Sequence, residues 1–354
     1  MNKVGLILVN YKDYAQKFLI ACRDSLRTQS YPQEFFNIYI IDNASTAESK
    51  KYLIDNFAEA IILERDDGNY VAANSLGFNK AIEDGCNYIV SANMDTEMKP
   101  DWLQELVVAL DNNPDAGIAQ SKILLYPKTD EERKHPRINT LGNIIHYLGF
   151  GFTSAYNEPD REMIGYPKID GYASGCSFII RAEVYKKIGG YMEEFYMYHD
   201  DLELSLKVRL AGYKIILAPK SIIFHKYEFA RSTKMIYYME RNRYLSILMF
   251  FPGWFIFLIF LPGLLMDIGM FLFSMINGWF REEIKIYSYF FNFKNYKRIE
   301  AERKKIKSYQ VIPFSKIAKD FQGKIIFQEI NNPLLRFVVN PLLNVYWKII
   351  KNII

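Results

Sequence analysis

Short apolar runs and longer stretches of helical spacing alternate along the first hundred residues. Residues 4–9 form an apolar run of buried-strand type, and Phe18, Leu19, Cys22 and Leu26 recur at helical intervals over residues 15–28, before a stop at Tyr31-Pro32. Residues 37–41 predict a second strand ending in Asp42-Asn43-Ala44-Ser45, where Ser45 and Glu48 have the spacing of a capping box for a helix over 46–57. Residues 60–63 predict a third strand. Residues 69–85 carry small and apolar side chains at helical period and end on a glycine, as a capped helix does. Residues 88–92, Tyr-Ile-Val-Ser-Ala, then predict a fourth, buried strand that delivers Asn93, Asp95 and Glu97 to its end. Pro100-Asp101-Trp102 opens a further helix, closed by Asn112-Asn113-Pro114.

The pattern loosens over residues 126–170, where Lys128 to Lys134 and Pro136 suggest a mobile loop. Order returns at Gly171. Residues 177–180 predict a strand and 183–188 a helix ending at Gly189-Gly190; an aromatic segment, 191–198, leads into His199-Asp200-Asp201. Residues 201–211 predict an amphipathic helix with Leu202, Leu206 and Leu210 on one face, and 214–217 and 221–225 predict two strands, the second ending in His225. Strands alternating with helices predict an α/β fold with a doubly wound, mostly parallel sheet. No GxGxxG or Walker loop follows any strand, which argues against a dinucleotide or P-loop enzyme. Side chains and a metal must then hold any nucleotide phosphates.

Composition adds an appendage to that picture. Hydrophobic residues make up 50% of the chain, and they concentrate between Tyr244 and Phe280, where Asp267 is the only charged side chain. Pro252-Gly253 and Pro262-Gly263 divide this run into pieces shorter than the ~20 residues a spanning helix needs. Interfacial or re-entrant helices are therefore expected, with Tyr237, Tyr238, Arg241 and Arg243 at headgroup level; a Pro-kinked span over 250–273 and a buried helical hairpin are the alternatives. From Arg281 onward 15 Lys and Arg face 6 Asp and Glu, a net of +9 that anionic lipids would attract. The expected organisation is residues 1–235 as the α/β domain, 236–295 as membrane-associated helices and 296–354 as a basic tail. Cys22, Cys86 and Cys176 have no CxxC spacing, so neither a disulfide framework nor a zinc site is indicated, and a reducing compartment is expected. The N-terminal apolar run is too short for a signal-peptide core.

Two clusters of acid groups carry the candidate chemistry. Ligands of open α/β sheets bind outside the carboxyl ends of the strands, so Asp95 is placed to hold a cation, and Mg²⁺ characteristically takes one or two carboxylates plus substrate phosphates. One Asp at the start of the 201–211 helix is explained by the macrodipole, worth about 0.3–1 kcal/mol. A second adjacent carboxylate, with Glu203 close behind, repels the first unless a cation or a hydroxyl donor is present. His225, taken alone, reads more readily as a structural histidine than as a ligand.

With these residues in view, an ordered series stands out: Val9-Asn10-Tyr11, IIDNAST (40–46), GNYVAAN (68–74), SANMDTE (91–97), SGCSFIIR (174–181), YHDDLELSLKVRLAGY (198–213) and FHK (224–226). The series resembles the inverting family 2 glycosyltransferases of GT-A fold, particularly their rhamnosyltransferase-like branch. The resemblance implies a Rossmann-like, nucleotide-sugar-binding sheet. It places Asp42 on the donor's base or ribose above Val9, Asn10 and Tyr11, with Asn69, Asn74, Asn93 and Met94 in the same donor pocket. Asp95 corresponds to the last Asp of the family's Asp-x-Asp metal motif, whose first position here is Asn93, and His225 would complete the metal or diphosphate site with Mg²⁺ or Mn²⁺. Asp201 corresponds to the general base, with Asp200 orienting it. Ser174, Gly175, Cys176 and Glu203 would face the acceptor.

The implied activity is transfer of a hexose or deoxyhexose from a UDP-, dTDP- or GDP-sugar to a glycan, lipid-linked and destined for a cell-surface polysaccharide. It would take place at the cytoplasmic face of the membrane, on a peripheral or monotopic enzyme with no nucleic-acid partner. Two rivals were weighed against it. A sugar nucleotidyltransferase needs a Gly-rich, Arg-bearing loop after the first strand, which Asn10-Tyr11-Lys12-Asp13 is not. A non-catalytic glycan- or nucleotide-sugar-binding scaffold at the membrane would have no use for Asp95 and Asp201 together.

Overall fold

The computed structural model describes residues 1–226, 233–326 and 333–354. Its first half follows the apolar alternation: β1 (Val4–Tyr11), α1 (Tyr14–Arg27), β2 (Phe36–Asn43), α2 (Ala47–Asn56), β3 (Ile61–Arg65), α3 (Tyr70–Glu83) and β4 (Tyr88–Ala92). Thr46, rather than Ser45, caps α2 by accepting the Ser49 N–H, and Asn69 caps α3 by accepting the Ala72 N–H. Next come β5 (Thr96–Met98), α4 (Trp102–Asp111), β6 (Ala116–Leu125), α5 (Asp130–Lys134), β7 (Ile138–Thr140), β8 (Asn143–Ile145), β9 (Gly151–Thr153), β10 (Ser177–Arg181), α6 (Ala182–Ile188), α7 (Asp200–Leu210) and β11 (Lys214–His225).

The main sheet has the order β3-β2-β1-β4-β10-β6-β11-β5, with β7 paired to β6. It is mixed, which corrects the mostly parallel sheet expected from the sequence. Parallel ladders join β3, β2, β1 and β4, and also β6 and β11, whereas β10 runs antiparallel between β4 and β6 and β5 antiparallel to β11. The reason lies in the connection. The chain leaves β6 at its carboxyl end and wanders over residues 126–176 with no helical crossover to carry it back, so it re-enters the sheet from the same end.

Three further expectations are corrected. The stretch 126–170 is not polar throughout, because Ile138, Tyr147, Leu148, Phe150 and Phe152 lie in the core, whereas Lys128 to Lys134 are exposed and include α5. The predicted strands at 214–217 and 221–225 are one strand, with a register shift between Ala218 and Ile222. Finally, α7 is buried on all sides rather than amphipathic: Glu203, Lys207 and Arg209 are as enclosed as its leucines.

The described residues beyond 232 contribute α8 (Thr233–Phe250), α9 (Gly253–Ile276), α10 (Phe280–Phe291), α11 (Phe293–Tyr309), α12 (Phe314–Ala318) and α13 (Asn340–Lys351). Pro262 does not divide the apolar run. It sits inside α9, where its missing N–H leaves the Leu258 carbonyl without its helical partner. The Tyr346 hydroxyl donates to that carbonyl at 2.7 Å, so a side chain of α13 repairs the gap. Arg241 and Arg243 are not at headgroup level either, since both are buried among protein partners. The residues beyond 296 are not a loose tail. Ile299, Ile306, Phe314, Phe321 and Trp347 join one apolar cluster with Ile7, Phe178 and Leu206 of the sheet and α7.

Trp347 stacks on Tyr147 at a centroid distance of 5.1 Å and donates its Nε1–H to the Phe321 carbonyl. Trp347→Ala is therefore expected to lower global stability by about 3–5 kcal/mol. Urea unfolding followed by tryptophan fluorescence and by circular dichroism checks this; a loss confined to the C-terminal helices would show them to be independent of the sheet.

Candidate active site

The carboxyl ends of β1, β2 and β4 and the turn before β10 meet along one edge. At β2, the Asp42 carboxylate accepts from Asn10 Nδ2 at 2.7 Å, while Asn10 Oδ1 accepts the Ala15 N–H at 2.9 Å. Asn10 is wholly enclosed, so it positions Asp42 and is not itself open to a ligand. Val9 likewise packs into the core beneath the edge, leaving Tyr11 the more open of the three. Asn69 is occupied at both ends, capping α3 and donating to the Glu193 carbonyl at 3.0 Å. Asn74 is buried and donates back to the Tyr70 carbonyl. The Met94 side chain lies in the core under the strand end rather than in a donor pocket, a correction that follows from its burial among apolar residues.

At the end of β4, Asn93 donates its N–H to the Cys176 carbonyl, and its Oδ1 accepts from the Tyr70 hydroxyl at 3.1 Å. Two residues on, Asp95 Oδ2 lies 3.4 Å from His225 Nε2, brought there by the β5–β11 ladder. His225 Nδ1 is 3.2 Å from Asn139 Oδ1, which fixes the imidazole by accepting its Nδ1–H. Asp95 Oδ1 is buried with no hydrogen-bond partner among the described residues. A buried carboxylate oxygen left without a donor beside a histidine is suited to a cation. The described residues hold no cluster of three or more His, Cys, Asp or Glu, so the chain supplies two ligands and a bound diphosphate would have to supply others.

The turn Ser174-Gly175-Cys176 links this corner to the second acid cluster. Gly175 N–H donates to Asp201 Oδ2 at 3.1 Å, and Leu202 N–H donates to Asp201 Oδ1 at 2.9 Å. Asp201 keeps partial access to solvent, whereas Asp200 is buried. Burial raises both. It is opposed at Asp201 by the N–H groups of Gly175 and Leu202 and leaves that carboxyl at about 6; at Asp200 the neighbouring Asp201 charge adds to burial, and the group is pushed far above the carboxylate range. The two carboxyls thus differ in setting: Asp200 is buried and pushed up by Asp201, and Asp201 is the more open and held by backbone N–H groups. Glu203 is corrected: fully enclosed and ion-paired to Lys207, it cannot meet an acceptor. His199, pulled down to about 4 by burial, sits against the Gly149 carbonyl.

Sequence reasoning missed Asn139, Tyr70 as the bridge to Asn93, and Asn43, whose side chain donates to the Asn69 carbonyl and accepts the Gly68 N–H. Tyr70 and Asn43 lie inside the motifs already singled out. Asn139 carried no signal, being a single amide in an irregular stretch.

An acidic edge on a mixed sheet of this order, with a reachable carboxylate at a helix start across from an Asp–His corner, is the arrangement of a GT-A-like glycosyltransferase. The profile described as "Glycosyl transferase family 2" matches residues 6–189, more than half of the chain. The chain belongs to glycosyl transferase family 2 and is a glycosyltransferase. The match ends before α7, so Asp200, Asp201 and His225 lie outside it.

Among curated proteins it is similar to the O-antigen biosynthesis protein RfbC of Myxococcus xanthus, 25% identical over 62% of this chain and 17% of that protein. It is also similar to an N-acetylglucosaminyl-diphospho-decaprenol L-rhamnosyltransferase of Mycobacterium tuberculosis, 25% identical over 39% of this chain and 47% of the relative. The matched segments thus span less than half the length of these relatives. In fold it resembles the crystal structure of GalNAc-T7 with UDP, GalNAc and Mn²⁺, with a TM-score of 0.56 and 14% identity over 72% of this chain and 49% of that one.

Asp201→Asn is expected to lower turnover by about 10²–10⁴ with donor affinity nearly unchanged, and Asp200→Asn, at the more buried of the two carboxyls, to cost less. Because Asp201 must be deprotonated to accept a proton and burial raises its pKa, kcat/KM should rise with pH through about 6 instead of through the ordinary carboxylate value near 4. Steady-state rates across pH, with donor affinity on both variants, check this; an inactive Asp200→Asn beside an active Asp201→Asn would exchange the roles.

Proposed function

We propose that this glycosyltransferase moves a sugar, with inversion, from a nucleoside diphosphate donor to a hydroxyl of a lipid-linked glycan in cell-surface polysaccharide synthesis. The observation that carries the reading is Asp201: a solvent-reachable carboxylate at about 6, held by backbone N–H groups at the sheet edge. The acceptor oxygen attacks the anomeric carbon while the bond from that carbon to the diphosphate oxygen breaks. The hydroxyl proton goes to Asp201 and the electron pair of the broken bond leaves with the diphosphate. Single displacement accounts for the inversion. Asp42, fixed by Asn10, holds the donor's base or ribose beside Tyr11, and the Ser174-Gly175-Cys176 turn borders the acceptor. Asp95 and His225 would hold a divalent cation, Mg²⁺ or Mn²⁺, which supplies Lewis-acid stabilisation of the leaving phosphate when bound. A deoxyhexose donor and a polyprenyl-diphosphate acceptor are supported by the name of the mycobacterial relative.

The membrane part of the reading rests on exposed apolar surface. α9 is long and apolar enough to cross a membrane, but one of its faces is docked on the protein: Phe255, Ile259, Pro262 and Ser274 are buried, and Asp267 pairs with Arg243 at 3.0 Å. The outward face carries Phe257, Phe260, Leu264 and Ile268, and α13, joined to α9 through Tyr346, turns out Leu342, Val345 and Ile349. Two adjoining apolar stripes with Lys348 and Lys351 at one end suit a helix pair lying in the headgroup plane of an anionic bilayer.

Incubation with UDP-, dTDP- and GDP-sugars should release nucleoside diphosphate from one of them; release from none would overturn the donor reading. Asp95→Ala should abolish the Mn²⁺-dependent part of nucleoside diphosphate binding by calorimetry, and an unchanged titration would remove the metal role. The full chain should float with anionic liposomes, and paired Phe257→Asp and Leu264→Asp substitutions should keep it in the pellet fraction. Equal flotation of the doubly substituted chain would sink the membrane assignment.

A further inference from the structure

The segment that presents Asp200 and Asp201 is held in an unusual backbone conformation. Tyr196, Tyr198 and His199 have φ of 63°, 64° and 59°, a region that side chains other than glycine rarely adopt, and none of the three is a glycine. Such a run persists only when its surroundings over-determine it. The surroundings here come from α8, a helix outside the acid cluster and the donor edge.

Asn242 is fully buried in α8, and its Nδ2 lies 2.8 Å from each of the carbonyls of Phe195, Met197 and Tyr198. One amide group thus reaches three carbonyls within four residues of the presenting loop. Its orientation is fixed from the other side: Arg241 donates to Asn242 Oδ1 through Nε at 3.0 Å and Nη2 at 2.8 Å, and the same Nη2 reaches the carbonyls of Glu194 and Phe195. Tyr238, one turn earlier, stacks on Tyr196 at a centroid distance of 4.6 Å. The loop is gripped on its donor side as well, because the Tyr196 carbonyl accepts the Val71 N–H at the start of α3 and the Glu193 carbonyl accepts from Asn69.

We propose that Asn242, steered by Arg241, is a positioning residue for the transfer reaction: its amide holds the left-handed loop that sets where Asp201 stands relative to the donor edge. It touches neither substrate nor the reacting atoms, and acts by gathering carbonyls that would otherwise turn elsewhere for donors. The inference rests on the reading of Asp201 as the base. Release of the loop would let more water reach Asp201, whose titratable neighbours are Asp200 beside it, Tyr70 from α3, and Tyr172 and Tyr191, tyrosines that burial keeps neutral.

The test compares Asn242→Ala, Asn242→Asp and Asn242→Gln in the full chain. Alanine and aspartate remove the donor, and each should lower kcat about 10- to 100-fold, leave nucleoside diphosphate affinity within about twofold, and move the acid limb of kcat/KM below its wild-type position as Asp201 becomes hydrated. Glutamine, which keeps the donor on a longer arm, should recover part of kcat. A lower Tm with kcat and the acid limb unchanged would reduce Asn242 to a structural residue and overturn the proposal. Should the alanine variant not fold, Arg241→Lys carries the test with the same two readouts, since lysine keeps the charge and loses the fork that orients the amide. Asp201→Asn measured in parallel separates the failures. If that variant stays active, the base reading has failed; if it is inactive while Asn242→Ala behaves as wild type, only the positioning role has.

Discussion

Burying a helix that begins with two carboxylates is the constraint on which the rest of this molecule depends. Enclosed charges cost several kcal/mol each unless paired or hydrogen-bonded, and α7 carries them along its length. Each is answered. Glu203 pairs with Lys207, whose ammonium also reaches the Gly190 carbonyl; Arg209 takes Asp320 and the Gly171 carbonyl; Asp201 takes two backbone N–H groups. Asp200, with no ion-pair partner among the described residues, is instead pushed up by burial and by Asp201. One of these answers, Asp320, comes from the C-terminal third. Asp320 follows α12, and the N–H groups of Val311 and Ile312 close the end of α7 on the Leu210 carbonyl. The helices beyond residue 232 thus help to enclose α7, with α11 and α12 packed against it.

Much of this was legible in the residues. The parallel strands β1 to β4 were written as apolar runs bounded by turn chemistry, and Asp95, His225 and Asp201 stood in motifs whose order survives in space as one continuous edge. What failed to read was polar residues buried in regular elements. β6 escaped notice because Gln120, Ser121 and Lys122 interrupt its apolar run, yet all three are satisfied inside: Gln120 accepts the Ser174 N–H, Ser121 meets Ser177, Ser221 and Trp102, and Lys122 pairs with Asp160. The same disguise made α7 look amphipathic and put Arg241 and Arg243 at a lipid surface. Periodicity reports which side chains are apolar, and long-range pairing decides which polar ones are nevertheless inside.

Pro262 misled for a related reason. A proline inside a helix leaves a carbonyl unanswered, and local reasoning ends the helix there. The Tyr346 hydroxyl, 88 residues from Leu258, supplies the answer, and no window around the proline contains it.

The place of β11 in the sheet has a consequence for how the enzyme comes into being on the ribosome. β5 finds its ladder only on β11, so the strand that anchors Asp95 waits for residues more than a hundred positions later. N-terminal segments of a growing chain can pair before the rest is made, and the ladders that join β1, β2, β3 and β4 to one another lie within the first hundred residues, with β10 added later on the far side of β4. A chain made only that far lacks His225 opposite Asp95, a partner for β5, and the Glu193 and Tyr196 carbonyls that take Asn69 and Val71. Synthesis of the last strand gives β5 its partner and, in the same event, assembles the Asp–His corner.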